Sequence, residues 1–254
     1  MKYRNYIIGS AALVLLILFA FRPSSPKIRV YLIGDSTMSL KQVTAYPETG
    51  WGMPFVNFFD SGVQVENRAQ NGRSTKTFVA ENRWQPVVDS LHTGDYVFIQ
   101  FGHNDEVPTK ASYTPIADYR AYLMKFISES RSKGGIPVLL TPVSRRKFDN
   151  EGKALDTHLQ YAAMVRTVAA EQKVPLIDLD QKSIELFQKL GVENSKLLFN
   201  KLAPGEHPNY PAGKIDDTHF NELGAREVAQ LVLKEIRVLN LDLVSHIVKP
   251  AEKK

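Results

Sequence analysis

Five short, mostly apolar segments recur along the chain, at residues 28–33, 63–67, 96–101, 136–142 and 174–178. Near-continuous apolar runs of this length are typical of strands that are buried on both faces. Segments with helical character separate them. The alternation therefore predicts an α/β fold, a three-layer sandwich in which a five-stranded parallel sheet is covered by helices on both faces.

The intervening segments supply the predicted helices. Residues 115–133 have apolar side chains at helical spacing, and two glycines end that helix. Further helices are predicted at 51–59, 75–91, 158–172 and after His219 through about Leu239, with Pro86 as a break in the second of these. Because no repeat or interdomain linker interrupts the series, residues 27–254 are predicted to form a single domain.

The first 26 residues have the organisation of an export signal. Basic residues precede an apolar run of about sixteen residues, which is shorter than the roughly 20 residues that span a bilayer. The small-residue cleavage pattern is only partly matched. Residues 1–26 therefore fit a cleaved signal peptide or an uncleaved signal anchor. Either way we expect an exported domain (periplasmic, secreted or anchored facing outward), with membrane contact only through that anchor.

Composition excludes several classes of function. The 254 residues contain no cysteine, so disulfides, thiolate catalysis and cysteine–zinc sites are excluded. The formal net charge of +5 is mild, and neither an arginine-rich arm nor interleaved aromatic and basic residues indicate a nucleic-acid partner. A chain of this size and kind is expected to be a monomer.

Polar residues follow the ends of the predicted strands. Gly34-Asp35-Ser36 comes directly after the first strand, at the edge where open α/β sheets bind ligands. Gly72 and Asn104 follow the second and third strands, and an N–H group and an amide are suitable donors to an oxyanion. Near the C-terminus, His219 follows two adjacent aspartates. These residues can supply a nucleophile, a base and a carboxylate that orients the base.

Ser36, Gly72, Asn104 and His219 stand in the order of the four blocks that define the SGNH (GDSL-type) hydrolase superfamily, which this chain resembles from Ile28 to about Leu239. The resemblance implies the flavodoxin-like strand order 2-1-3-4-5 and a serine mechanism that needs no metal or other cofactor. It assigns Asp216, three residues before His219, as the carboxylate partner, with Asp217 as its rival. It also implies an oxyanion hole made by the backbone N–H groups of Ser36 and Gly72 and the amide of Asn104.

Longer local motifs resemble the rhamnogalacturonan acetylesterases, which remove acetyl groups from galacturonic acid units of pectin. These motifs are Gly-Asp-Ser-Thr-Met, Asn-Gly-Arg-Ser-Thr-Lys-Thr-Phe, Phe-Gly-His-Asn-Asp and Thr-Pro-Val-Ser-Arg-Arg-Lys-Phe. An acetylated polysaccharide is therefore the expected partner. Acetylxylan or another small-acyl ester is the alternative substrate, and an inactive carbohydrate-binding protein is the non-enzymatic alternative.

Basic side chains near the strand ends are candidates for binding uronate carboxylates, because guanidinium groups bind both carboxylate oxygens at once. The alternative is that they are solvated charges or partners of internal ion pairs. Trp51 and Trp84 fit a core, a cleft wall or a sugar platform equally well. The candidate substrate-binding residues are Arg73, Lys76, His103, Arg145 and Arg146.

Overall fold

The computed structural model describes residues 27–248, and the five predicted strands form one sheet in that range. The strands are β1 (Ile28–Gly34), β2 (Val63–Asn67), β3 (Tyr96–Gln100), β4 (Ile136–Leu140) and β5 (Leu176–Ile177). All neighbouring strands are parallel, and their order across the sheet is β2-β1-β3-β4-β5. The predicted parallel sheet and its flavodoxin-like order are confirmed. The predicted export segment, residues 1–26, lies outside the described residues.

Helices connect the strands and cover the sheet. Within residues 27–248 the α-helices are α1 (Gly52–Phe55), α2 (Thr75–Ala80), α3 (Gln85–Ser90), α4 (Ile116–Ser132), α5 (Leu159–Gln172), α6 (Leu179–Asn194) and α7 (Glu222–Val238). Short 3₁₀ helices lie at Val43–Ala45, Val56–Phe58, Ser195–Leu198 and Asp242–His246. None of the helices in this described part of the chain has both the length and the apolar character to cross a membrane.

Side chains alternate between two cores on opposite faces of the sheet. On β1, Val30 and Leu32 point into a core shared with α1, α6 and α7. Tyr31 and Ile33 point into the other core, which α2, α3, α4 and α5 cover. This arrangement is the predicted three-layer sandwich, and it explains why the central strands β1, β3 and β4 are apolar at nearly every position, whereas the edge strand β2 is mixed.

The predicted break at Pro86 is wrong in position. Helix α2 ends at Ala80, Asn82 has a positive φ of 54°, and α3 begins at Gln85, so the break precedes the proline. Pro86 lies in the first turn of α3 instead. A proline is tolerated there because the first N–H groups of a helix have no partner within the helix.

Strand β5 is shorter than the predicted segment 174–178. Two backbone hydrogen bonds join it to the neighbouring segment of β4. The Leu139 N–H donates to Pro175 O (2.9 Å), and the Thr141 N–H donates to Ile177 O (3.2 Å). Pro175 has no N–H to donate in return. Asp178 is already the N-cap of α6, accepting a hydrogen bond from the Gln181 N–H, so the chain leaves the sheet at once.

The loops that contain the candidate site residues leave the carboxyl ends of adjacent strands. Because β2, β1 and β3 are neighbours, the loops with Gly72, Ser36 and Asn104 lie at one edge of the sheet. The loop with His219 directly precedes α7. Ligands of open parallel sheets bind at such an edge.

Candidate active site

A row of three hydrogen-bonded side chains joins the start of the chain to its end. The Ser36 Oγ atom lies 2.8 Å from Nε2 of His219. The other ring nitrogen, Nδ1, lies 2.9 Å from Oδ2 of Asp216. With Nδ1 protonated toward the carboxylate, Nε2 is free to accept the serine proton. The geometry can therefore activate Ser36 as a nucleophile.

Backbone contacts hold the Asp216 carboxylate in its ionised form. Its Oδ1 atom accepts hydrogen bonds from the N–H groups of Thr218 (2.8 Å) and His219 (2.9 Å). Burial alone would raise the pKa of Asp216, but the hydrogen bonds from His219 and Thr218 outweigh it and hold that pKa well below its usual range. A permanent negative charge thus lies beside the imidazole.

The neighbouring aspartate has different partners. Asp217 accepts hydrogen bonds from Nη1 of Arg146 (2.8 Å) and from Nζ of Lys201 (2.8 Å). These ion pairs direct its carboxylate away from His219. The structure thus places Asp216, and not Asp217, against the histidine.

Asp35 shapes the turn that presents the nucleophile. Its Oδ1 atom accepts hydrogen bonds from the Thr37 N–H (2.9 Å) and the Thr37 hydroxyl (2.8 Å). The Gln100 side chain, at the end of β3, donates to the same hydroxyl at 2.6 Å. Burial raises the pKa of Asp35, although the Thr37 hydrogen bonds oppose the rise. Asp35 is fully buried and faces the turn, so it fixes Ser36 without contacting the reacting atoms.

The three groups predicted to form an oxyanion hole lie in loops that follow the neighbouring strands β1, β2 and β3. Within residues 27–248, the N–H groups of Ser36 and Gly72 donate to no protein acceptor. Gly72 has a positive φ of 75°, which favours glycine. One N–H of the Asn104 amide donates to Arg73 O (3.1 Å), which orients the amide and leaves its second N–H available. The arrangement can bind a developing oxyanion, although the oxyanion role itself stays a prediction.

Arg73 and Lys76, two of the predicted substrate-binding residues, both form hydrogen bonds within the protein. Arg73 donates through Nε to Glu81 Oε2 (2.9 Å) and through Nη1 to Asn71 O (2.9 Å), and about a third of its side chain, 30%, is exposed. Lys76 lies in the first turn of α2, where its Nζ donates to Tyr113 O at 2.6 Å. Arg73 keeps an accessible edge, whereas the contacts of Lys76 are internal.

Arg145 and Arg146 also differ in accessibility. Arg145 pairs with Glu106, donates to His103 O (3.3 Å) and lines an open cavity of about 560 Å³. The side chain of Arg146 is only 9% exposed and donates through Nε to the Ser195 hydroxyl (2.9 Å). Arg146 therefore supports the loop before α7, and its predicted substrate contact stays untested.

His103 lies beneath the surface of the site. It is 3% exposed, and its ring packs edge-on against that of His158 with centroids 4.4 Å apart. Burial, together with the nearby His158 and Arg145, holds the pKa of His103 well below its usual range. His158 in turn contacts Glu106 at 2.8 Å. A neutral, buried His103 supports the loop that bears Asn104.

Both tryptophans belong to the cores. Trp51 is fully buried and donates through Nε1 to Gln100 Oε1 (2.6 Å), while Trp84 is 2% exposed and donates to Glu129 (2.6 Å). Neither ring presents a face to the site. Of the three alternatives open from the sequence, the structure supports the core.

One group of side chains near the site comes close enough to share a cation. Oxygen atoms of Glu48 and Asp216 and a ring nitrogen of His219 lie within 4.8 Å of one another. Both ring nitrogens of His219 are already engaged, however, by Ser36 and Asp216. Lys41 lies against Glu48 (2.7 Å). We therefore assign no metal ligands among the described residues.

Sequence reasoning missed the residues around Lys41. This lysine contacts both Glu48 and the side chain of Asn71, the residue before Gly72. Asn71 directly precedes Gly72, which was the one available signal. Lys41 and Glu48 lie in an irregular segment and meet Asn71 only through the fold.

Comparison with known proteins agrees with this geometry. The model of the GDSL-like lipase/acylhydrolase family matches residues 32–227. Rhamnogalacturonan acetylesterase RhgT of Bacillus subtilis (strain 168) is 43% identical over 221 residues, which cover 87% of this chain and 94% of the relative. The probable rhamnogalacturonan acetylesterase YesY of the same organism is 38% identical over 226 residues, covering 87% of this chain and 97% of the relative. The crystal structure of the B. subtilis protein YxiM aligns with a TM-score of 0.74 at 26% identity, over 87% of this chain and 58% of that longer chain.

Proposed function

This chain belongs to the GDSL-like lipase/acylhydrolase family, whose members are carboxylic ester hydrolases, and we propose that it is a serine esterase that removes O-acetyl groups from rhamnogalacturonan. The hydrogen-bonded row Ser36–His219–Asp216 is the observation that supports the serine mechanism. The 43% identity to a relative named rhamnogalacturonan acetylesterase supports the substrate class.

In the proposed acylation step, Ser36 Oγ attacks the acetyl carbonyl carbon. His219 Nε2 takes the hydroxyl proton as the new C–O bond forms, and the ionised Asp216 stabilises the imidazolium. The carbonyl electron pair moves to oxygen, and the proposed donors to this oxyanion are the N–H groups of Ser36 and Gly72 and the amide of Asn104. As the tetrahedral intermediate collapses, the bond to the sugar oxygen breaks, and His219 protonates the leaving alkoxide.

Deacylation repeats these steps with water. His219 removes a proton from a water molecule that attacks the acetyl-Ser36 carbonyl, and then returns the proton to Oγ as acetate leaves. All protons and electron pairs are supplied by the ester, water, Ser36 and His219. The proposed chemistry therefore uses only side chains of this protein and water.

Arg73 and Arg145 are the proposed contacts for uronate carboxylates. Their side chains are partly exposed, at 30% and 28%. A guanidinium already paired with one carboxylate retains further N–H donors for a second. Lys76, His103 and Arg146, whose contacts are internal, are expected to support the loops.

The proposed substrate is an extracellular polymer, which agrees with the predicted export of the domain. Export itself stays a proposal. Secretion assays with and without residues 1–26 test it.

The first experiment measures acetate release from acetylated rhamnogalacturonan and acetylated xylan side by side, with Ser36→Ala as the blank. We expect release from the pectic polymer to exceed release from xylan, and Ser36→Ala to lose at least about a thousandfold in kcat. Equal or faster release from xylan would contradict the pectic substrate, and an active Ser36→Ala variant would contradict the serine mechanism.

Arginine variants then test the substrate contacts. Arg73→Gln and Arg145→Gln should raise KM for the pectic polymer by about tenfold, because each removes a guanidinium fork. Hydrolysis of p-nitrophenyl acetate, which has no uronate, should change less. Arg120→Gln is the matched control, because Arg120 lies in α4 and pairs with Glu171. Equal losses on both substrates would show that the arginines support the loops instead.

A further inference from the structure

A buried lysine that the proposed mechanism does not use lies beside the site. The side chain of Lys41 is 0% exposed. Its Nζ atom lies 2.7 Å from Oε1 of Glu48 and 2.7 Å from Oδ1 of Asn71. Burial lowers the pKa of Lys41, and the Glu48 carboxylate opposes that change. Burying a charge is costly unless the charge is paired, so these two contacts decide whether the ammonium can exist there.

The first partner of Lys41, Glu48, lies close to the Asp216 carboxylate. Glu48, Asp216 and His219 have ligand atoms within 4.8 Å of one another. A second carboxylate so close to Asp216 would favour protonation of His219 and repel Asp216. Lys41 pairs with Glu48 and thereby offsets this second negative charge near the imidazole.

The second partner of Lys41, Asn71, lies in the turn that contains Gly72. The side-chain oxygen of Asn71 accepts hydrogen bonds from both Lys41 and the Ser39 hydroxyl. Asn71 directly precedes Gly72, whose N–H is one of the three donors. Ser39 lies in the nucleophile turn, where its N–H donates to Asp35 O at 3.1 Å. The Lys41 ammonium thus links Glu48, which lies near His219, to Asn71, which lies beside Gly72.

We propose that Lys41 is a positioning residue that holds the Asn71–Gly72 turn in place and cancels the charge of Glu48 next to His219. This inference rests on the proposed esterase function. Lys41 contacts neither the nucleophile nor the carboxylate partner directly, so it acts through its neighbours.

Several other titratable or charged groups lie near His219 and also influence its protonation. On its own loop are Asp216 and Lys214, whose Nζ lies 3.9 Å from Asp216 Oδ2. Asp35 from the loop after β1 and His103 from the loop after β3 interact with it electrostatically. Lys41 also interacts electrostatically with Asp35 and Asp216, so the effect of the Lys41–Glu48 pair is read from the comparison of the single variants with the double variant.

The experiment is a pH profile of kcat/KM for p-nitrophenyl acetate with three variants. In Lys41→Met the unpaired Glu48 carboxylate favours the imidazolium, so the acidic limb should move up by about one pH unit. In Glu48→Gln the lysine loses the carboxylate that favours its charged form, so the limb should move down by less than it moves up in Lys41→Met. The double variant, in which both charges are removed, should return the limb to the wild-type position.

The oxyanion side of the proposal has its own readout. Loss of the Lys41 contact should lower kcat by about tenfold with little change in KM, because the Gly72 donor acts in the transition state. Lys41→Arg, which keeps a cation, should retain more activity than Lys41→Met. Equal activity in Lys41→Arg and Lys41→Met, or a loss that falls on KM and not on kcat, would overturn the proposal in favour of a merely structural lysine.

Two further measurements distinguish failure of the Lys41 proposal from misfolding of a variant and from failure of the proposed esterase function. Circular dichroism identifies a Lys41→Met variant that fails to fold, and the charge-neutral double variant and Glu48→Gln then serve as the test. NMR titration of the His219 ring in wild type and in these variants needs no turnover. If the wild type releases no acetate but the ring titration follows the charge cycle, the esterase function fails and the positioning role stands. An unmoved titration overturns the positioning role.

Discussion

At the scale of single residues, two adjacent aspartates before the histidine have different partners. Asp216 contacts the imidazole of His219 at 2.9 Å, whereas Asp217 pairs with Arg146 and Lys201. Asp216→Asn should lower kcat/KM for p-nitrophenyl acetate by about three to four orders of magnitude, because an amide does not hold the required tautomer. Steady-state kinetics at pH 8 measure this loss.

Asp217→Asn is the matched control for that prediction. It removes the same charge one residue away but leaves the hydrogen bond to the imidazole intact. Because Asp217 is 39% exposed, its ion pairs contribute about 1 kcal/mol or less, and kcat/KM should fall by less than about tenfold. Comparable losses in the two variants would contradict the assignment of Asp216.

At the scale of elements, helix α2 is attached to the loop after β3 by one buried carboxyl group. Asp105 accepts hydrogen bonds from the Thr75 N–H (2.9 Å) and the Thr75 hydroxyl (2.6 Å). Burial raises the pKa of Asp105 to about 7, against the effect of these hydrogen bonds. The folded protein therefore keeps a proton on Asp105 at pH values where the unfolded chain has released it. The free energy of unfolding should fall as the pH rises from about 4 to about 7.

Asp105→Asn isolates this contribution. The amide oxygen still accepts from Thr75 but does not titrate, so the free energy of unfolding should depend less steeply on pH between 4 and 7. The change in slope is at most about 1.4 kcal/mol per pH unit. Urea unfolding at pH 5 and pH 8 measures it. Asp35 remains as a second buried carboxyl group with a raised pKa, so some slope should persist. An unchanged slope would contradict the prediction.

Helix α7 packs on the 3₁₀ helix Ser195–Leu198 through a glycine. A Cβ atom at Gly224 would overlap the carbonyl oxygen of Leu198. Alanine favours a helix over glycine by about 1 kcal/mol, but the overlap is with backbone that cannot move aside, so the net effect is destabilising. Gly224→Ala should lower the free energy of unfolding by about 1–3 kcal/mol in urea titrations. The same measurement on Leu223→Ala, where the side chain is 50% exposed, should show a smaller change. A Gly224→Ala variant as stable as wild type would refute this packing argument.

The elements also show which features of the sequence determine structure locally. Strands β1, β3 and β4 were predictable because both faces of the sheet are buried there, so their apolar runs are nearly continuous. The helix break near Pro86 was misplaced because the decisive residue, Asn82 with its positive φ, has no strong signal in the sequence.

Residues of the candidate site were predictable where a motif lies at the end of a strand. Ser36, Gly72 and Asn104 follow strands β1, β2 and β3, and His219 belongs to the Asp-Asp-Thr-His motif that precedes α7. The partners of the basic side chains were not predictable, because they come from distant segments: Arg146 pairs with Asp217, and Arg145 pairs with Glu106. Lys41 was missed for the same reason.

At the scale of the whole molecule, the two cores share one sheet. Consecutive residues of β1 alternate between them, so neither layer can lose its packing without exposing the strands that support the other. The two tryptophans of the chain report on the layers separately. Trp51 lies in the core of α1, α6 and α7, and Trp84 lies in the core of α2 to α5, against Phe126 at 4.9 Å between ring centroids.

Variants with one tryptophan therefore test whether residues 27–254 unfold as the predicted single domain. In Trp51→Phe the fluorescence of Trp84 follows one layer, and in Trp84→Phe the fluorescence of Trp51 follows the other. Within each variant we expect the urea midpoint from fluorescence to coincide with those from far-UV circular dichroism and esterase activity, within about 10–15%. Activity should follow both layers because Ser36, Gly72 and Asn104 are held by the strands they share. A fluorescence transition that separates from the others in either variant would show that one layer unfolds independently, and the prediction of one cooperative domain would then be wrong.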